Sequence, residues 1–394
     1  LRRRILFISN LYPNPYRRGM AEFNRQQVLA LSSHYDIAVV SPVPWTTTIA
    51  AIAPPPVAPL AAVGTGVEVH HPTYYYLPGM LRKLQGEAFL YSILPTVRRL
   101  AGQRPFDLVY ASWLFPDAWA ASRIAQRLRV PLFVKVHGSD VNRLAPSCPV
   151  TSRSLEAARR AQKVLCVSRA LQERLATLGI DPAKMETVYN GVDSSLFFPV
   201  PSQTARLALG IEGARPLILY VGNLKVEKGI MDLLEAYRNI LTTTNIVDTP
   251  QLAIIGSGPC EDKVKKFSLP GAKVLFLGTQ QLESIALWMN AASVLCLPSY
   301  NEGVPNVVLE AQACRTPVVA TRVGGIPEIF RDDGSMILVD PGRVDQLTQA
   351  LLKMIQAASE RKAGPVPVGS WQDNAEKLVC LFEQALSHQG GRSC

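Results

Sequence analysis

The sequence predicts an α/β protein built from two doubly wound parallel-sheet domains, and three observations predict it. The 394 residues exceed what a single hydrophobic core organises. Short apolar runs alternate with helical patterns through the first half, as strand–helix–strand units require. The same pattern begins afresh at LILYVGNL, residues 217–224. With 48% hydrophobic residues and a mean hydropathy of +0.11, the chain has ample material for buried sheets.

In the first domain, taken as residues 1–197, strands are predicted at ILFIS (5–9), DIAVVS (36–41), VEVHH (67–71), DLVYA (107–111), PLFVKV (131–136), KVLCVS (163–168) and METVYN (185–190). Helices are predicted near 21–32, 79–101, 117–128, 153–161 and 169–179. The opening LRRRILFIS is basic and then apolar. Ser9, Asn10 and Pro13 end that run too early for a signal-peptide core, so it reads as the first strand. Residues 41–66 are rich in Pro and Ala, lack periodicity and read as a loop. In 79–100, Leu81, Leu84, Ala88 and Tyr91 recur at helical spacing beside Arg82, Lys83, Arg98 and Arg99. That is either a basic amphipathic helix lying on an anionic membrane or an ordinary surface helix kinked at Pro95.

Ligands of doubly wound sheets bind beyond the carboxyl ends of the strands. In the first domain those ends are residues 10–23, SWLFPD (112–117) and KVHGSD (135–140). Arg17 and Arg18 in the first of these are either solvated or turned to an anionic acceptor.

In the second domain, residues 198–368, further strands read at AIIGSGP (253–259), VLFLG (274–278), VLCLPS (294–299) and TPVVAT (316–321). Between the last two lies the densest chemistry. Pro305 suits the first helical position, where its missing N–H costs nothing. The helix is expected from 305 to 314, with opening N–H groups able to hold an anion. Gly303 before it lets a ligand approach the backbone. Gly324 and Gly325 before Pro327 repeat the device. Glu310 lies about 7.5 Å along the axis from Pro305. A diphosphate at the helix start would put an attached ribose beside it, and a carboxylate can accept two hydroxyl protons. Its neighbours Val307, Val308, Leu309 and Ala311 are apolar, so this carboxylate needs a partner. Glu302, in the loop, reads equally as a solvated carboxylate. A final helical pattern, 371–388, follows a Pro/Gly stretch at 364–369.

Glu302 and Glu310, with seven residues between them in EGVPNVVLE, resemble the paired-glutamate motif of the retaining family-4 glycosyltransferases of the GT-B fold. The similarity is to bacterial members that build cell-surface polysaccharides of the teichuronic-acid or exopolysaccharide type, and it extends over nearly the whole chain. It implies two Rossmann-like domains facing a central cleft, an acceptor-binding one first and a nucleotide-sugar-binding one second. Residues 369–394 would form a terminal helix crossing back to the first domain. It further implies transfer of a hexosyl group from a nucleotide-diphosphate sugar to a hydroxyl of a glycan or lipid-linked acceptor, with retention and without a metal or other cofactor.

The resemblance assigns catalytic roles to His137 and Glu302. His137, in HGSD, would contact the sugar near the reacting carbon, and Asp140 would orient it, cap the following helix, or both. Lys228 and Gly229 after Gly222 match the family's G-R-x-x-x-x-K-G phosphate motif in part. Asn223 stands where the family has Arg, and Lys225 is a possible substitute. Gly256, in GSGP, would lie near the nucleotide, and Thr279 and Gln280 where the base is cradled. Gly303, Val304, Pro305 and Asn306 would meet the donor together with Glu310. Asn190 and Gly19 complete the implied substrate contacts. At Gly19 the chain departs from the family, whose members carry a Gly-Gly pair where this one has Gly19 and Met20.

Charge and cysteines narrow the setting. Residues 1–197 hold 23 Lys and Arg against 12 Asp and Glu, a net of +11, and the remainder 18 against 19, a net of −1. A basic half suggests an anionic partner: a membrane surface, a nucleic acid or an acidic glycan. No apolar run approaches the ~20 residues of a spanning helix. The seven cysteines are scattered and never form C-x-x-C, which argues against a disulfide framework or structural metal and for a reducing compartment. The expectation is a cytoplasmic enzyme peripheral on the inner face of the cytoplasmic membrane. A nucleotide-sugar epimerase shares the architecture but has no use for a basic half. A non-enzymatic nucleic-acid-binding protein explains the charge but not an apolar helix carrying Glu310, so no nucleic-acid partner is expected.

Overall fold

RILFI, the first strand, is buried at every residue, and its side chains alternate between two cores: Leu6 and Ile8 face one, Ile5 and Phe7 the other. Continuous apolar strands of this kind are what a parallel sheet with helices on both faces requires. The protein is seen in a computed structural model that describes residues 2–17, 19–50, 66–76, 84–145, 147–148, 150–242, 249–357 and 368–390. It divides into Leu1–Asn190 with Trp371–Cys394, and Gly191–Ser370.

The strands of the first unit are β1 (Arg4–Ile8), β2 (Asp36–Val40), β3 (Val43–Pro44), β4 (Val67–His70), β5 (Thr73–Tyr74), β6 (Leu108–Ser112), β7 (Leu132–Val136), β8 (Lys163–Cys166) and β9 (Met185–Thr187). Seven form one all-parallel sheet in the order β4-β2-β1-β6-β7-β8-β9, and β3 pairs with β5. The order in which strands are added reverses between β1 and β6, and beyond the carboxyl ends at such a reversal is where doubly wound sheets hold ligands. Helices Gln85–Gln103, Trp119–Leu128 and Thr151–Arg160 cover one face through Phe89, Ile93, Ile124 and Leu155. Glu22–Leu31 and the terminal helix Trp371–Gly390 cover the other. In that layer the Phe382 ring lies 4.7 Å from Phe133 and 5.5 Å from Tyr110, both edge-on.

The second unit holds β10 (Leu217–Val221), β11 (Gln251–Ile255), β12 (Val274–Gly278), β13 (Val294–Leu297), β14 (Val318–Thr321) and β15 (Met336–Val339). They form an all-parallel sheet in the order β12-β11-β10-β13-β14-β15. Its reversal falls between β10 and β13. Ile230–Thr242 and Val344–Gln356 cover one face, and Leu282–Ala291 and Asn306–Ala313 the other.

Several expectations are corrected. METVYN pairs only over Met185–Thr187, because the chain then turns toward Asn190 and the unit boundary. Residues 41–66 are not all loop: Val43–Pro44 is a short strand and Trp45–Ala50 a helix, while 51–65 lie outside the described residues. The helix expected over 79–101 runs Gln85–Gln103 and continues through Pro95. Arg18, Leu81, Arg82 and Lys83, and residues 364–367 of the Pro/Gly stretch, lie outside the described residues. Strand β15 and helix Val344–Gln356 have no counterpart in the sequence reading. Among the described residues no helix is long and apolar enough to cross a membrane.

Candidate active site

In the second unit, β10 runs out into Gly222, and β13 into the loop that carries Glu302. Lys228 closes the short turn Val226–Lys228, and its ammonium donates to Glu302 Oε1 at 2.6 Å. The Glu302 side chain is only 9% exposed, so the solvated reading of this carboxylate is set aside. Two glycines hold its backbone. At Gly324, where φ is +53°, a Cβ would lie 2.0 Å from the Glu302 carbonyl oxygen, and Gly325 N–H donates to the Gly303 carbonyl at 2.8 Å. A second helix start at Pro327 is therefore corrected. Ile326–Ile329 is a single 3-10 turn, and the glycine pair supports the Glu302 loop.

The helix begins at Asn306, one residue later than expected, because Pro305 keeps an extended ψ of 124° as its N-cap. Its first turn is tight. The Pro305 carbonyl accepts from both Val308 at 3.1 Å and Leu309 at 3.5 Å, leaving Val307 N–H without a partner among the described residues. Val304 and Pro305 are buried and Asn306 half-buried. Val308, Leu309 and Ala311 fix the helix against the sheet. Glu310 is half-buried and its carboxylate has no hydrogen-bond or ion-pair partner among the described residues. Burial pushes that carboxyl up to about 7. Such a group gains from any pair of hydroxyl donors that reaches it.

Other predicted contacts are engaged within the fold. Gly256, with φ +138°, admits the Gly222 carbonyl, which a Cβ would meet at 1.9 Å. Gln280 donates to the Leu277 carbonyl at 2.6 Å and accepts from Ser284 at 3.1 Å, tying its amide to its own strand and helix. Asn223, Lys225 and Thr279 are exposed.

In the first unit, His137 and Asp140 come together at the end of β7. Asp140 Oδ1 accepts from the N–H groups of His137 at 3.0 Å and Gly138 at 2.9 Å. It thus orients the His137 backbone; the ring is held by Ser112, whose Oγ lies 2.7 Å from Nε2, and by Phe23, with ring centroids 4.8 Å apart. Burial, and then the charge of Lys135, hold the imidazole well below its usual pKa, so it is neutral. Burial raises Asp140 to about 6. Asn190 Oδ1 accepts from the fully buried Lys135 at 2.7 Å, and desolvation brings that ammonium down to about 7. Gly19 is exposed, with nothing within 4 Å of where a Cβ would stand. Phe23, a turn beyond it, carries this segment to the His137 ring.

Sequence reasoning missed Lys135, Ser112 and Asn24. Only Lys135 left a signal, a lysine inside the otherwise apolar PLFVKV. Among the described residues no group of three or more His, Cys, Asp or Glu is placed to hold a metal ion.

Residues 46–196 match the family described as Glycosyltransferase Family 4, and residues 215–357 the one described as Glycosyl transferases group 1. The chain is 29% identical to TuaC of Bacillus subtilis (strain 168), a glycosyltransferase named for teichuronic acid biosynthesis, over 89% of this chain and 88% of that one. Sucrose-phosphate synthase from Thermosynechococcus elongatus superposes with a TM-score of 0.72 at 20% identity, over 99% and 98% of the two chains. Anabaena HepE, solved with UDP-glucose, superposes with a TM-score of 0.69 at 18% identity, over 98% and 99%. These two likenesses establish the shared GT-B fold.

Proposed function

Because the chain belongs to the family-4 glycosyltransferases of the GT-B fold, we propose that it moves a hexosyl group from a nucleotide-diphosphate sugar to a hydroxyl of a lipid-linked glycan, with retention, in cell-surface polysaccharide synthesis. The observation that carries this reading is the Glu310 carboxylate, without a hydrogen-bond or ion-pair partner among the described residues, on the helix that follows the Glu302 loop. A cation for phosphate stands on the turn after β10, while a Val307 N–H without a partner among the described residues and an acceptor for ribose hydroxyls lie on the helix after the β13 loop, which the Lys228–Glu302 contact ties to that turn.

The reaction asks the site to stabilise a diphosphate leaving group. Lys228 supplies a point charge to the phosphates, and the opening of helix Asn306–Ala313 supplies N–H donors and the positive end of its dipole. Glu310 fixes the ribose, and Glu302 acts beside the sugar with its backbone held by Gly324 and Gly325. His137 acts at the sugar as a neutral ring. No metal takes part in this scheme. TuaC's name supports a polysaccharide setting, and the +11 first half supports docking on an anionic inner-membrane surface.

A thermal-shift panel of nucleoside diphosphates and their sugars tests the reading. A ligand at about 100-fold its Kd adds about 2.7 kcal/mol to the native state. At least one nucleotide sugar is expected to raise Tm more than its free nucleoside does. A panel in which none raises it overturns the donor assignment.

A further inference from the structure

We infer that Asn24 and Ser112 set the tautomer of His137, placing the ring proton on Nε2 and leaving Nδ1 as a bare hydrogen-bond acceptor. The Leu11 carbonyl can only accept, and the Asn24 side chain meets it at 2.6 Å, so the group facing it is the amide Nδ2. The other end of that amide, Oδ1, therefore faces Ser112 Oγ at 2.9 Å, and it can only accept. Ser112 has one hydroxyl proton, and Asn24 takes it. The 2.7 Å contact between Ser112 Oγ and His137 Nε2 must then be made by a proton on the ring.

The surroundings keep the count closed. Asn24 and Ser112 are both fully buried, so no water competes for these protons. The second Ser112 group, its carbonyl, is occupied by the Ser9 hydroxyl at 2.9 Å. Burial and the nearby Lys135 charge keep the imidazole from taking a second proton. His137 Nδ1 makes no hydrogen bond among the described residues. The relay draws on three elements at the β1–β6 reversal: Leu11 just past β1, Asn24 in helix Glu22–Leu31, and Ser112 ending β6.

This gives His137 one kind of contact with a sugar. Through Nδ1 it accepts a hydrogen bond from a sugar hydroxyl; its one N–H is already given to Ser112, and the ring carries no charge. Asn24 and Ser112 are positioning residues that act through the ring. The role in transfer rests on the function proposed above; the tautomer does not.

Long-range 1H–15N correlation spectra of the full chain labelled with [15N]histidine read the tautomer directly, with the His137 signals identified by their loss in His137→Gln. The resting protein is expected to show a protonated Nε2 and an unprotonated Nδ1; the reverse, or an average of the two, overturns the proposal. Asn24→Leu frees the Ser112 proton to turn to Nε2 and is expected to switch the ring to Nδ1–H. Ser112→Thr keeps a hydroxyl and the parent pattern. An unchanged tautomer in folded Asn24→Leu overturns the role of Asn24. Should that variant not fold, Ser112→Ala decides: it removes the acceptor, and the two tautomers should average, whereas an unshifted spectrum overturns the relay. In a transfer assay Asn24→Leu should lower kcat on the order of tenfold or more at little change in donor KM, with Ser112→Thr near the parent. If the parent transfers no sugar at all, the functional reading fails while the spectra still judge the tautomer.

Discussion

Lys228 Nζ and Glu302 Oε1 lie 2.6 Å apart across 74 residues of sequence, joining a turn after β10 to the loop after β13. The lysine side chain is 28% exposed and the glutamate 9%, so the pair sits between the surface and buried limits. A double-mutant cycle of Lys228→Ala and Glu302→Ala, read by urea unfolding, should give a coupling of about 1–2 kcal/mol. Coupling near zero would mean the pair does not hold in solution. In binding, Lys228→Ala should lose nucleoside diphosphate and nucleotide sugar affinity while keeping that of the free nucleoside, because the contact proposed for it is to phosphate. Equal losses for all three ligands would remove the phosphate role.

Glu310 as the proposed ribose acceptor would make donor binding a proton-linked event. Its carboxyl is raised to about 7 by burial, above the usual carboxylate range. A folded-state pKa raised above the unfolded value means the group favours the native state most below pH ~4.3, and that contribution fades as pH rises through about 7. Ribose hydroxyls bind the ionised form, so a nucleotide must displace the proton. Affinity should therefore fall as pH drops below about 7 and level off above it. Calorimetry near pH 6 should show proton release, seen as a dependence of binding enthalpy on the buffer's ionisation enthalpy. Glu310→Gln should bind more weakly without that dependence. A Gln variant of parent affinity for every nucleotide sugar bound by the parent would sink the ribose assignment.

His137→Ala should cut transfer by about 10²-fold or more at near-native donor affinity, the pattern of a contact made at the reacting sugar. Chelator-treated parent protein should keep its turnover. Activity lost to a chelator and restored by a divalent ion would contradict both the role of His137 and the metal-free scheme.

The sheet strands were legible because full burial makes them continuous apolar runs, as in RILFI and VLCL. The helix Trp45–Ala50 was not, since its six residues include three threonines and carry no helical period. At the candidate site, Glu310 could be singled out because a carboxylate on an apolar helix is costly wherever it points. The Lys228–Glu302 contact could not, since nothing local links positions 74 apart. Asn24 and Ser112 were equally silent. A buried amide and hydroxyl are ordinary in sequence, and only the meeting of three strand-end segments turns them into a relay.

The terminal helix offers a stability test. Phe382 is fully buried and its ring is edge-on to Tyr35, Tyr110 and Phe133. Phe382→Ala should destabilise the first unit by about 3–5 kcal/mol, the transfer and cavity cost of a core phenylalanine. Tyr35→Phe, which loses only its hydroxyl bond to Glu383 at 2.8 Å, should cost about 1 kcal/mol. A loss under about 1 kcal/mol in Phe382→Ala would mean the helix is not docked as described.

The membrane hypothesis can be tested on one helix. In helix Gln85–Gln103, Phe89, Ile93, Val97 and Leu100 are buried. The opposite side presents Tyr91, 66% exposed, together with Arg98 and Arg99; Leu84 just before the helix is 49% exposed. Positions 84, 91 and 98 are spaced by seven, so they share one stripe. A tyrosine and a leucine beside arginines are the residue types that an amphipathic face on an anionic interface uses. Each cation near such a surface contributes about 1 kcal/mol, so a handful suffices for reversible, salt-sensitive binding. Replacing Arg98 and Arg99 with Ala, together with Arg82 and Lys83 from the neighbouring undescribed stretch, should release the protein from anionic vesicles. Adding Tyr91→Ala should deepen the loss. Activity on a lipid-linked acceptor should fall further than on a short water-soluble analogue, because only the former needs the surface. If the quadruple variant sediments with anionic vesicles as well as the parent does, the contact lies elsewhere on the first unit.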